Sequence, residues 1–192
     1  MTTALSNQDK KDLLDLARRS ILAVIQGQNL PEVELRDYSP VLREHGACFV
    51  TLKLAGRLRG CVGSLEAEQA LVREVQDKAV CAAFKDSRFS PLQEEEYPDL
   101  GIEISCLTPP EPLAYDHPEQ LVERLRPGQD GVILSDGPRK ATFLPQVWDK
   151  LATPEEFLSR LCLKMGARPD LWKRRPLQVE TYQVEKFSAE EA

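Results

Sequence analysis

The chain is poor in histidine: only His45 and His117 occur in 192 residues. A zinc site needs several nitrogen and sulfur ligands converging. These two lie far apart, and neither has a cysteine or carboxylate pattern beside it. No metal centre and no cofactor is expected. The five cysteines, Cys48, Cys61, Cys81, Cys106 and Cys162, are odd in number and show no metal-ligand spacing. No three-cysteine run for an iron–sulfur cluster occurs, and reduced thiols are the expectation. No stretch approaches the roughly 20 apolar residues of a membrane span. Met1–Asp9 is polar, without an apolar signal core, so a cytoplasmic chain is expected. No glycine-rich phosphate loop and no Gly-x-Ser-x-Gly element is present. Positive charge is also short: 25 Lys and Arg against 31 Asp and Glu give a net charge of -6, which predicts neither a nucleic-acid nor a membrane partner. One basic run, Lys173-Arg174-Arg175 beside Trp172, reads as a solvated turn.

What is there suits a globular protein, with 42% hydrophobic and 29% charged residues. A chain this long buries roughly 70% of its unfolded surface without staples. It reads as one domain over 1–192, with a smaller lobe formed by part of 28–100. Apolar periodicity predicts helices over about 7–26, 67–84 and 118–126, and a further one after the Thr153-Pro154 cap. Residues 28–46 read as a loop with extended pieces. Strands are predicted over about 101–107, 131–135, 141–144 and 177–186. Helices and hairpins alternate irregularly, so the fold class is α+β, with antiparallel sheets covered by helices.

The most informative stretch is Leu58-Arg59-Gly60-Cys61-Val62-Gly63, the second strand of a hairpin whose first strand carries Val50, Leu52 and Leu54. Matching the apolar sets pairs Val50 with Val62 and Leu54 with Leu58 across a three-residue turn, Ala55-Gly56-Arg57. Thr51 then faces Cys61, and Lys53 faces Arg59. Glycines flanking a cysteine admit a ligand or another backbone, and a nearby arginine favours the thiolate. A small buried cysteine in a tightly packed strand is the competing reading.

Several motifs follow one another: Phe49-Val50-Thr51-Leu52 leading into Leu58-Arg59-Gly60-Cys61-Val62-Gly63, then Asp86-Ser87-Arg88-Phe89, Ile102-Glu103-Ile104-Ser105, and Thr142-Phe143-Leu144-Pro145-Gln146-Val147-Trp148. Their order resembles the AMMECR family, whose prokaryotic members are also called AmmeMemoRadiSam system protein A. Val62 stands where isoleucine is commoner in the family, and Ser87 where proline is. The resemblance implies an α+β fold with a larger and a smaller lobe and a cleft between them. It also implies an association with a Memo-like protein and a radical S-adenosylmethionine enzyme.

Two functions follow from the residues. In the first, the chain binds a small molecule or is an enzyme, using a cleft around Cys61 with that cysteine as nucleophile or polar contact. Glu103 would be a general acid or base if burial raises its pKa. Arg59 or Arg88 would hold an anionic group. Gly60, Gly63 and Ser105 would line the site, and His45 would be the one imidazole in reach. In the second, the chain is a non-catalytic adaptor or regulatory protein. For Arg59 and Arg88 the alternative role is an internal salt bridge to Glu103 or Asp86.

Overall fold

The computed structural model describes residues 5–151 and 153–189. Packing divides the chain into two compact units, one running up to Leu107 and resuming at Glu185, the other spanning Thr108–Val184. The segment 28–100, where the sequence predicts a smaller lobe, lies wholly within the first unit. No helix among the described residues is long and apolar enough to cross a membrane.

The first unit opens with α1 (Asn7–Ile25), started by a reciprocal cap. The Ser6 hydroxyl accepts from the Asp9 amide at 3.1 Å, and the Asp9 carboxylate accepts from the Ser6 amide at 2.8 Å. Residues 28–46 are more ordered than predicted: they hold a 3-10 turn at Leu35–Asp37 and a short helix, α2 (Pro40–Arg43), with proline in its first turn. Then come β1 (Ala47–Leu54), β2 (Arg57–Gly63), α3 (Leu71–Phe84) and β3 (Leu100–Leu107). Across β1 and β3, Cys48 faces Cys106, Val50 faces Ile104 and Leu52 faces Ile102, all buried. Leu13, Ala17 and Ile21 of α1 and Val72, Val75 and Ala79 of α3 join them in one core.

The hairpin register agrees with the sequence prediction from Val50 opposite Val62, through Thr51 opposite Cys61, to Leu52 opposite Gly60. Beyond that it differs. Lys53 faces Leu58, Leu54 faces Arg57, and the turn is the two residues Ala55-Gly56, with φ of 47° and 75°. A two-residue turn with two positive φ values matches the twist of the strands it joins. Arg59 is the extra residue of a β-bulge, which restores the apolar register that a short turn alone would have flipped. Arg59 therefore does not sit opposite Lys53.

The second unit comprises β4 (Glu111–Pro112), α4 (Pro118–Arg124), β5 (Gly131–Asp136), β6 (Arg139–Phe143), α5 (Pro154–Lys164), α6 (Leu171–Arg174) and β7 (Gln178–Tyr182). Its sheet runs β4-β7-β5-β6. Thr153 caps α5 by accepting from the Glu156 amide. Trp148 stacks on Phe157 with ring centroids 3.8 Å apart, and Cys162 is fully buried on α5, an inert core residue. The basic run is neutralised locally: Arg174 pairs with Asp170, Arg175 with Asp136, and Lys173 lies over the Trp172 ring. The predicted closing strand over 177–186 is two strands that part at Gln183. The second, β8 (Val184–Ser188), completes the first unit's sheet in the order β2-β1-β3-β8. Both sheets are antiparallel and both units carry helices, an α+β fold.

Candidate functional site

Because alternate residues of a strand face opposite sides, the even-numbered core set leaves an odd-numbered outer face on the first sheet. Pairing aligns that face in rows: Gly63, Phe49 and Ser105, then Cys61, Thr51 and Glu103, then Lys53 beside Gly101. The half-buried Cys61 sulfur accepts a hydrogen bond from the Thr51 hydroxyl at 3.3 Å. Glu103 accepts from Lys53 at 3.0 Å and lies 3.4 Å from the Lys186 ammonium. Partial burial pushes the Glu103 carboxyl upward, but the Lys53 hydrogen bond and the two ammonium charges outweigh it, and the group sits below the ordinary glutamate value. That corrects the expectation of a general acid with a raised pKa: Glu103 is held as a carboxylate.

The backbone of Cys61 is gripped from the open edge of the sheet. β2 is an edge strand, so half of its amide and carbonyl groups have no neighbouring strand. The Asp86 carboxylate accepts from the Cys61 amide at 2.9 Å, and Arg88 donates to the Cys61 carbonyl at 3.1 Å. Asp86 and Arg88 also pair with each other at 2.6 Å. One ion pair thus takes the place of the missing strand. Hydrogen bonds from Arg88, reinforced by the Cys61 amide, hold the Asp86 carboxyl far below the usual carboxylate range. A group depressed in the folded state stabilises it fully above its unfolded pKa and loses that contribution as pH falls through the folded value. Urea titrations should therefore show stability falling from about pH 5 downward. Asp86→Asn should flatten part of that acid limb while Glu96, Glu103 and Asp9, also depressed, keep the rest.

The sequence-predicted site residues divide cleanly. Cys61 and Glu103 share one row, with Thr51, outside the predicted set, between them. Ser105 is on the same face but buried. Arg88 is engaged by Asp86, as the alternative reading has it. Arg59 pairs with neither Glu103 nor an open site: its guanidinium bonds both oxygens of Glu96, at 2.8 and 2.9 Å, and the carbonyls of Ser90 and Pro91. With its side chain 12% exposed, it ties the 90–96 segment to the bulge and keeps no fork for an anion. Gly60 and Gly63 admit their own fold. A Cβ on Gly60 would lie 2.1 Å from the Ala82 carbonyl oxygen of α3, and one on Gly63 would lie 2.3 Å from the Phe49 ring. His45 is exposed and bridges to Ala70. Six positions at about 3.3 Å each put it roughly 20 Å along the strand from Thr51, the residue beside Cys61.

Lys53 and Lys186, which set the charge state of Glu103, were absent from the sequence-derived set. Lys53 is legible from strand alternation. Lys186 is not, because the partner strand of β3 comes from the far end of the chain. No group of three His, Cys, Asp or Glu among the described residues is placed to hold a metal ion.

Proteins of similar sequence and structure match almost the whole chain. One from Thermofilum pendens is 37% identical, covering 95% of this chain and 91% of that protein. One from Methanothermobacter thermautotrophicus is 36% identical, covering 95% of each. The crystal structure of an uncharacterized protein, PH0010, from Pyrococcus horikoshii superimposes with a TM-score of 0.76 at 34% identity, over 93% of this chain and 90% of that one. The AMMECR1 family model matches residues 14–187, a span holding both sheets and the Arg59–Gly63 strand, and the chain belongs to the AMMECR1 family.

Proposed function

We propose that this chain is a binding protein for a small polar molecule, working on the outer face of its first sheet without covalent chemistry at Cys61. The observation that carries this reading is that, among the described residues, the sulfur's one hydrogen-bonding neighbour is a hydroxyl, Thr51. One route to a thiol nucleophile is a base beside it that takes its proton. His45 is too far along the strand, and Glu103 is engaged by Lys53 and Lys186. The same face still offers a half-buried sulfur, a hydroxyl, a carboxylate and two ammonium groups, enough to orient a ligand by hydrogen bonds.

Iodoacetamide labelling tests the reading. Cys61 and Cys81 are half-buried, whereas Cys48, Cys106 and Cys162 are sealed, so two thiols should react in the folded chain. Adding the small-molecule fraction of a cell extract should slow modification of Cys61 severalfold and leave Cys81 at its original rate. An unchanged Cys61 rate would count against the proposal. A second reading, a non-catalytic adaptor for Memo-like and radical S-adenosylmethionine proteins, draws support from Leu58, a large apolar side chain 46% exposed on the edge strand.

A further inference from the structure

We infer that the ligand of this face is a small zwitterion of the α-amino-acid type, seated in a recess at the hairpin end of the sheet. The inference rests on the outer-face reading above and adds the ligand's chemistry. The recess has a volume of about 630 Å³, within the range of small-molecule sites. Its walls carry both signs of charge. Lys53 and Glu103 neutralise each other at 3.0 Å, which leaves Arg18 from α1 and Asp99, just before β3, as the lining charges without an ionic partner among the described residues. A lone anion would meet the Asp99 carboxylate, and a lone cation the Arg18 guanidinium. A molecule bearing both charges satisfies both walls.

Arg18 is held in place but retains donors. One terminal nitrogen donates to the Leu100 carbonyl at 2.6 Å, and the guanidinium lies over the Tyr97 ring, 5.6 Å from its centroid. Among the described residues it has no carboxylate partner, so its other N–H groups can take a ligand carboxylate. Asp99 is exposed and likewise has no partner among the described residues, which suits it to a ligand ammonium.

Gly101 supplies an independent observation. It lies on the outer face beside Lys53, inside β3, where a glycine weakens a strand. Neither backbone nor packing demands it. Its φ is not left-handed, and a Cβ there would meet only the Lys53 carbonyl oxygen at 3.5 Å and the Lys53 Cβ at 3.7 Å, ordinary contacts. The missing side chain leaves that side of the recess open.

The test titrates the proteinogenic L-α-amino acids into the 15N-labelled chain, each beside its N-acetyl and its carboxamide derivative. At least one amino acid should shift the amide signals of Lys53, Gly101 and Glu103, with both derivatives about tenfold weaker or worse. Gly101→Leu, which puts a branched side chain into the recess from β3 with its Cβ in ordinary contact, should abolish binding. Asp99→Asn, at an exposed residue with no partner to lose, should remove the preference over the N-acetyl form. No bound amino acid, derivatives that bind equally well, or binding that survives Gly101→Leu would overturn the inference. If extract molecules protect Cys61 while no amino acid binds, the zwitterion fails and the outer-face reading stands. Cys61 does not line the recess, so an amino acid that shifts the Lys53 and Gly101 signals while nothing protects Cys61 would sink the Cys61-centred reading and leave the recess standing.

Discussion

Gly60→Ala should destabilise the first unit more than any other single methyl added to the Arg59–Gly63 strand. The new Cβ would sit 2.1 Å from the Ala82 carbonyl oxygen and 3.1 Å from its carbon, against α3 backbone and not a side chain that can rotate away. Relief requires the strand and the helix to part, which breaks the contact that Val72, Val75 and Ala79 make with Val50 and Leu52. Overpacking of this kind costs about 3 kcal/mol or more, which in a chain of this size lowers the melting temperature by roughly 6–12 °C. The control is Gly101→Ala on β3, where the added Cβ meets nothing closer than 3.5 Å. Its melting temperature should stay within about 2 °C of the parent. A Gly60→Ala protein as stable as Gly101→Ala would mean that the glycine serves a ligand and not the helix.

Arg59→Ala should come second. The substitution leaves the Glu96 carboxylate, 27% exposed, without its bidentate partner and frees the carbonyls of Ser90 and Pro91. Breaking a partly buried ion pair by removing one member costs about 2–3 kcal/mol, less than for a fully buried pair. The cost should depend on pH. The hydrogen bond from Arg59 holds the Glu96 carboxyl below the ordinary glutamate value, so the contribution is complete above the unfolded pKa and is lost as pH falls through the folded one. Parent and variant should therefore differ most near neutrality and converge in acid. Arg59→Lys, a point charge without the fork, should recover only part of the loss. An Arg59→Ala variant with normal stability but no ligand binding would return this arginine to the binding face.

Much of the fold is legible in the chain, and the failures have physical causes. Alternation of Val50 and Leu52 with Thr51 is enough to place Thr51 opposite Cys61, because the apolar set tolerates no slip. The same logic misplaces Arg59, since it allows one way of keeping the register where the protein uses another, a tight turn plus a bulge. Strand periodicity is blind to a chain that changes sheets at Gln183 without a proline or glycine to mark the break. The two arginines look ligand-directed because spacing shows what shares a face but not what lies across from it. Their partners lie outside the periodic elements, Asp86 in a loop and Glu96 in a 3-10 turn over Glu94–Glu96. Glu103 is misread for a related reason: its ionisation is set by Lys53 and Lys186 against partial burial, and Lys186 is brought in from the far end of the chain.

The most direct test of the central claim is intact-mass spectrometry of the chain after incubation with cell-extract metabolites, run under native and then denaturing conditions. A ligand held by hydrogen bonds and charge on the outer face should raise the native mass and vanish on denaturation, with all five cysteines unmodified. A mass increment that survives denaturation and maps to Cys61 would contradict the account, because a ligand held only by hydrogen bonds and charge leaves no covalent mark on the sulfur.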